Sequence, residues 1–194
     1  MAGGAARTRY ATRELGPATW RDFARLFSKH NGVWGGCWCV YSQTRGGFVT
    51  DGPRNRRTKH ALVKERRAHG ILVYADDEPV GWCAFGRREE LPRLDGVRRY
   101  QALALDPRRK LWRITCFFVD RGWRRRGVAA AALRAALTAI RRRGGGVVEA
   151  YPATQPRPQR TLLYYGTVPL FEREGFRRVA GLGPGQCVMT KRVR

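Results

Sequence analysis

The run KLWRITCFFVD, residues 110–120, constrains the fold more than any other stretch of the chain. It is dense in β-branched and aromatic residues, the composition of a buried strand. RGWRRRGVAA, residues 121–130, comes next. It places four arginines within six residues, then a glycine and the start of an alanine run. Leu133, Leu137 and Ile140 fall at i, i+4 and i+7. A helix is therefore expected to start near Gly127 and to stop at Gly144 to Gly146. A helix N-terminus exposes unpaired N–H groups at the positive end of the helix dipole, and phosphate binds there readily. Gly127 would let the backbone approach an anion. Val128, Ala129 and Ala130 stay short, and the arginines supply charge-assisted donors. Two readings stand level at this point: a cradle for a diphosphate, and a basic loop on a solvated helix start. The pattern is neither a Walker loop nor G-x-G-x-x-G, so nucleoside triphosphates and dinucleotides are not favoured.

The remaining chain reads as strands and helices in alternation. Residues 1–7 are expected to be a flexible tail and 8–194 a single domain. TRYATREL alternates weakly, as a first strand would. Pro17 opens a helix in which Trp20, Phe23, Leu26 and Phe27 recur at helical spacing, ended by His30-Asn31-Gly32. GGCWCVYS is a compact apolar stretch, residues 43–57 a long basic loop, and KHALVKERRAHG a short helix with a glycine stop. ILVYADDEPVGWCAF is a hairpin turning at Asp76-Asp77-Glu78-Pro79. After the alanine-rich helix come VVEAY as a further strand, a proline-rich connection, VPLFEREGF as a short helix, and two closing strands around GPG. This order implies a mixed α/β fold with helices on the sheet faces.

The net charge is +24, from 39 Lys and Arg against 15 Asp and Glu. Such a field draws nucleic acid, an anionic membrane surface or a phosphate-rich cofactor, and repels polycations. The plainer alternative is that arginine is the default surface residue, since it is spread over loops, helices and strands alike. The cysteines, Cys37, Cys39, Cys83, Cys116 and Cys187, are odd in number and no signal peptide is visible. A reduced cytoplasmic protein fits that pattern. Cys-x-Cys without a second pair is a weak zinc signal, so no metal is expected. No stretch is apolar and long enough to span a membrane.

ITCFFVDRGWRRRGVAAAAL resembles the acyl-CoA-binding motif of the GNAT superfamily of N-acyltransferases, whose pattern Gln/Arg-x-x-Gly-x-Gly/Ala reads here Arg124-Arg125-Arg126-Gly127-Val128-Ala129. LFEREGF, residues 170–176, resembles the family's short helix ending in Gly-Phe, and the element order agrees from about residue 8 to residue 192. The resemblance implies a central mixed, mostly antiparallel sheet, splayed between the fourth and fifth strands and flanked by helices on both faces. It implies acetyl-CoA as acyl donor. The diphosphate would lie on the backbone of 125–130 beside Arg124, Arg125 and Arg126, and the pantetheine arm would pair with the backbone of Phe117, Phe118 and Val119 as an added strand.

The implied reaction is direct attack of an amine on the thioester. Glu149 in VVEAY is the candidate base, with pairing to a neighbouring arginine as the alternative and Cys116 as a weaker candidate. The family's usual tyrosine, four residues before the Gly of Gly-Phe, is Phe171 here and has no proton to give. Tyr164 and Tyr165 are the candidate replacements, or water serves. The asparagine that many members carry after the fifth strand is missing from PATQPRPQRT. Trp34, Trp38 and Tyr41 are candidates for an aromatic wall around the acceptor, with core packing as the alternative. Arg87 to Glu90 are a candidate hold on a charged substrate, or a solvated loop. The expected acceptor is a small-molecule or peptide amine, or one carried by an RNA or ribosomal assembly, on a monomer or homodimer. The rival expectation is a basic RNA- or ribosome-binding protein that keeps the scaffold without the catalysis.

Overall fold

The fold is built around a twisted seven-stranded sheet, seen in a computed structural model that describes residues 9–46, 48–103, 110–155 and 162–194. The expected tail, residues 1–7, lies outside the described residues, as does the middle of the proline-rich connection. In chain order the elements are β1 Ala11–Glu14, α1 Trp20–Ser28, α2 Gly52–Lys64, β2 His69–Ala75, β3 Glu78–Arg87, α3 Arg98–Gln101, β4 Leu111–Val119, α4 Val128–Arg142, β5 Gly146–Ala150, α5 Val168–Glu172, β6 Arg177–Gly181 and β7 Cys187–Val193. The sheet order is β1-β2-β3-β4-β5-β7-β6, antiparallel except for the β4–β5 pair. This is the mixed, mostly antiparallel architecture the sequence implied.

The β2–β3 hairpin turns through Asp76 and Asp77 at φ 46° and 62°. Two successive left-handed residues give the turn whose twist suits a two-residue hairpin, and Asp tolerates that conformation. The basic stretch 43–57 is not wholly a loop, because α2 already begins at Gly52. Asp51 caps it by accepting the Arg54 N–H at 2.9 Å, and Pro53 sits in the first turn. Its buried positions are Asn55, Lys59 and Val63, at i, i+4 and i+8. Two of the three are polar, so hydrophobic periodicity does not reveal the helix. Asn55 justifies its burial by donating to the carbonyls of Gly36 and Val49, each at 2.9 Å.

Helices cover both faces of the sheet. On one, Ala132, Leu133, Ala136 and Ile140 of α4 pack on Ile71, Val73, Cys83, Phe85, Trp112 and Ile114. The alanine stripe lets the helix axis sit close, and a Cβ on Gly81 of β3 would overlap the Val128 side chain. Leu133 is wholly buried, so truncating it to alanine would cost about 2–5 kcal/mol. On the other face, Phe23 and Phe27 of α1 and Val63 of α2 pack on Leu72, Tyr74, Trp82 and Phe118. Among the described residues no helix is long and apolar enough to cross a membrane.

The pairing of β4 with its neighbours sets up the site. On one side β4 runs parallel to β5 only from Leu111 to Ile114. Beyond that point, Thr115 to Val119 have no strand partner on this edge among the described residues. On the other side, Ala84 pairs with Cys116 and Phe85 with Ile114, so Thr115 is an extra residue, a β-bulge. The bulge falls where the pairing with β5 ends.

Candidate active site

The arginine-rich turn is braced from behind by Asp120. Its Oδ1 accepts the Gly122 N–H at 3.1 Å, and its Oδ2 lies 2.7 Å from Lys29 Nζ and 3.2 Å from His30 Nε2. Burial works against the charge, but the hydrogen bonds from Lys29, Gly122 and His30 outweigh it and bring the carboxyl down to about 2. The chain then passes through Arg125 at φ 59° and Gly127 at φ 85°. Gly127 is the N-cap of α4, and an ideal Cβ there would meet nothing within 4 Å. The amides of the first α4 turn have no intrahelical partners, as at any helix start.

These amides open onto a cleft of about 900 Å³. Its lining brings together most of the residues expected to hold the acyl donor: Phe117, Phe118 and Val119 from the unpaired end of β4, Arg124 and Arg125, and Gly127, Val128, Ala129 and Ala130. Arg126 does not join them. Its guanidinium lies over Trp123 at 5.4 Å and its carbonyl accepts from the Tyr10 hydroxyl at 2.7 Å. The facing wall comes from the short helical turn at 162–165 and from α5, and includes Tyr164, Thr167 and Arg173. Arg121, Arg124, Arg125 and Arg173 give the lining four guanidinium groups, and none of its residues is acidic. Arg173 and Thr167 gave no signal in the sequence, because only the folded chain brings α5 opposite the turn.

A second cavity, of about 280 Å³, lies across β4 toward α1. Trp34 and Tyr41 line it, together with Cys37, Cys39, Thr115, Cys116, Tyr164, Tyr165 and Gln186. Trp34 stacks on Phe48 at 5.5 Å and meets Tyr41 edge-on at 5.4 Å. Trp38, expected in the same wall, is instead buried beside Trp20, Phe23 and Phe27 with Arg56 over its ring. The backbone supporting this wall is strained. Val33, Trp34, Trp38 and Cys39 all take positive φ, between 42° and 60°, a conformation non-glycine residues hold only when their surroundings enforce it.

Two groups join the cavities to chemistry. Tyr164 lines both of them, and burial raises its phenol above the ordinary value. Thr115, the bulge residue, is only 6% exposed and its hydroxyl has no hydrogen-bond partner among the described residues. Tyr165 lines the smaller cavity alone, and burial raises its phenol too.

Glu149 lies elsewhere. It is 3% exposed, lines neither cavity, and accepts from the Tyr100 hydroxyl at 2.7 Å and the Tyr151 hydroxyl at 2.8 Å. Arg113, its register partner on β4, is turned to Asp95 and the Leu91 carbonyl at 2.7 Å each. The alternative of a carboxylate simply paired with arginine is therefore not what is seen either, since tyrosines hold it. Phe171 is wholly buried, edge-on to Phe117 and Phe176. Of the segment that replaces the family's asparagine, Ala153 bridges to Thr167 and Gln186. Arg87 stacks over Trp112, and Arg88 pairs with Asp95 at 2.9 Å; neither lines either cavity.

The sequence model of the acetyltransferase (GNAT) family matches residues 25–165. Solved structures agree over nearly the whole chain at low identity. An N-acetyltransferase from Staphylococcus aureus Mu50 is 10% identical, with a TM-score of 0.56 over 96% of this chain and 99% of that one. yncA from Salmonella typhimurium, solved with its cofactor acetyl-CoA, is 13% identical, with a TM-score of 0.56 over 95% and 94%. The ribosomal-protein-S18-alanine N-acetyltransferase of Escherichia coli is 10% identical, with a TM-score of 0.52 over 95% and 94%. Among curated proteins none matches the chain significantly.

Proposed function

The chain belongs to the acetyltransferase (GNAT) family, and on that premise we propose that it transfers an acetyl group from acetyl-CoA to a small or peptide-borne amine. The observation that carries this reading is Tyr164, one side chain in the walls of both the arginine-rimmed cleft and the smaller cavity. Donor and acceptor held in these two hollows would meet at that wall.

The residues present suit a coenzyme A donor. Four guanidinium groups and a left-handed glycine at a helix start favour a diphosphate. The unpaired edge at Phe117 to Val119 offers backbone donors and acceptors that a sheet would otherwise satisfy. Once bound, acetyl-CoA supplies an activated acyl group as a thioester. The chain's own task is to place, desolvate and move protons. Tyr164, kept protonated by burial, is the proton donor to the departing sulfur in place of the missing tyrosine at Phe171.

Among the described residues, no acidic side chain lines the smaller cavity, so none of them compensates a charged ammonium there. The acceptor is therefore an amine that enters neutral, with an apolar or aromatic body set against Trp34 and Tyr41. Glu149, out of reach of both cavities, has a positioning role: it ties Tyr100 and Tyr151 beneath the splay. The comparisons favour acyl transfer over nucleic-acid binding, and the surplus positive charge is then read as a rim for the donor's phosphates and an arginine-rich surface.

Coenzyme A titrated against the melting transition tests the donor half, and thiol release with a panel of neutral aryl- and alkylamines tests the acceptor half. A rise in melting temperature with coenzyme A and turnover with at least one amine class is expected. No shift at saturating coenzyme A would overturn the reading.

A further inference from the structure

The side-chain amide of Gln186, in the wall of the smaller cavity, is pinned in one orientation. Its Nε2 donates to the Tyr151 carbonyl oxygen at 3.1 Å. That oxygen can only accept, so the NH2 end of the amide must face it and Oε1 is directed elsewhere. Tyr151 is a fixed anchor, 2% exposed, with its hydroxyl donating to Glu149 at 2.8 Å. The backbone on either side of Gln186 is tied to the same segment. The Thr154 N–H donates to the Gly185 carbonyl at 2.9 Å, and the Cys187 N–H to the Pro152 carbonyl at 3.2 Å. Among the described residues no donor bonds to Gln186 Oε1.

Gln186 also stands close to the larger cleft. Ala153 bridges to Thr167 on one side and to Gln186 on the other, and its N–H donates to the Gly166 carbonyl at 3.0 Å. Gly166 and Thr167 line the larger cleft. Ala153 is thus the spacer between that cleft and Gln186. Among the described residues lining the smaller cavity, Gln186 has the one side-chain carbonyl oxygen. The other oxygen-bearing side chains there, Tyr41, Ser42, Thr115, Tyr164 and Tyr165, are hydroxyls. A hydroxyl can donate to an amine's lone pair and so occupy the electrons that must attack. An amide oxygen can only accept from an N–H, and it leaves the lone pair free.

Taking the acetyl-transfer reading as its basis, we propose that Gln186 is the specificity-determining residue of the acceptor site, its Oε1 accepting one N–H of a neutral amine and so turning the nitrogen lone pair toward the thioester. The acceptor class this selects is a primary amine on an apolar or aromatic body. One N–H is held by Gln186. The proton of the other is released to solvent as the C–N bond forms and the C–S bond of the thioester breaks. The departing sulfur takes its proton from Tyr164, which regains one from solvent. Gln186 exchanges no proton, because an amide oxygen is too weak a base. A secondary amine would have to give up the one proton that Gln186 holds, and a tertiary amine has none to offer.

The test measures thiol release from acetyl-CoA by the full chain with 2-phenylethylamine and with its N-methyl derivative, alongside melting with coenzyme A. Two competitors of the amine are compared: 2-phenylethanol, which keeps one donor, and propylbenzene, which has none. The primary amine is expected to have a kcat/KM about tenfold or more above that of the secondary one, and the alcohol to inhibit about tenfold better than the hydrocarbon. In Gln186→Leu both ratios should fall to within about twofold, while the KM for acetyl-CoA and the coenzyme A melting shift stay. Ratios are unaffected by a loss of active protein. Where the variant does not fold, the ratios of the unaltered chain decide, and values near one overturn the inference. Ratios that survive in Gln186→Leu also overturn it and leave acetyl transfer standing. So does a normal coenzyme A shift with no turnover of either amine, which leaves the donor half alone standing. Loss of the coenzyme A shift itself sinks both.

Discussion

Lys29 Nζ lies 2.7 Å from Asp120 Oδ2, a contact that fastens the end of α1 to the turn carrying the arginines. The folded pKa of Asp120, about 2, is below that of a free aspartate. Its contribution to stability is therefore complete above the ordinary carboxylate value and is lost as pH falls from about 4 toward 2. Asp120→Asn is expected to cost about 1–2 kcal/mol at neutral pH, a figure trimmed because Lys29 is half exposed. Urea melts of the two chains should differ at neutral pH and converge in acid. Coenzyme A binding should also weaken severalfold in the variant, because the turn is no longer anchored.

Gly127 separates strain from occlusion. Nothing within 4 Å would oppose a Cβ, so only φ 85° resists substitution. Gly127→Ala should lower stability by about 1 kcal/mol and keep most of the coenzyme A melting shift. Gly127→Val, branched at Cβ and pointing into the cleft, should abolish the shift. Calorimetry with and without coenzyme A checks both.

Tyr164→Phe removes a hydroxyl that borders both hollows. A fall in kcat of about a hundredfold is expected, with the KM for acetyl-CoA within about threefold and the coenzyme A melting shift intact. An unchanged kcat would assign the departing sulfur's proton to water.

Glu149→Gln distinguishes a base from a brace. The carboxylate accepts two tyrosine hydroxyls, and an amide offers one oxygen to them and a surplus donor. A loss of about 1–3 kcal/mol in denaturant melts is expected, with kcat for amine acetylation little changed. A collapse in kcat without loss of stability would restore Glu149 as the base.

The two tryptophans of the same loop should part company. Trp38 is 5% exposed in the core and Trp34 40% exposed at the cavity. Trp38→Ala should cost about 3–5 kcal/mol. Trp34→Ala should cost far less and raise the acceptor KM instead, as steady-state kinetics will show.

Much of this architecture could be read from residue order alone. The Asp76-Asp77 turn, the apolar run of β4 and the alanine helix after Gly127 each carry a local signal that tertiary context did not override. The start of α2 escaped because Asn55 and Lys59 occupy its buried face, and a polar residue looks solvent-facing until its partners are known. α3 escaped for a similar reason: in VRRYQ only Tyr100 is buried. At the site, local order pointed to one wall of the larger cleft, the nearly contiguous residues 117–130, and not to the facing wall from 163–173. It could not assemble Thr115, Cys39, Tyr164 and Gln186, which line the smaller cavity from four separate parts of the chain. Trp38 and Trp34 share a composition and a neighbourhood in sequence, and only packing tells wall from core. Glu149 was singled out as an acid in an apolar strand, a pattern that fits a tyrosine-held brace as well as a base.

The hollows on either side of β4 share Tyr164 and little else besides. Residues 33–42 and Gln186 can therefore drift and reshape the smaller cavity while the turn at 121–130 and the cleft it lines stay as they are. Such a scaffold can have one hollow recut a wall at a time, with the other left untouched.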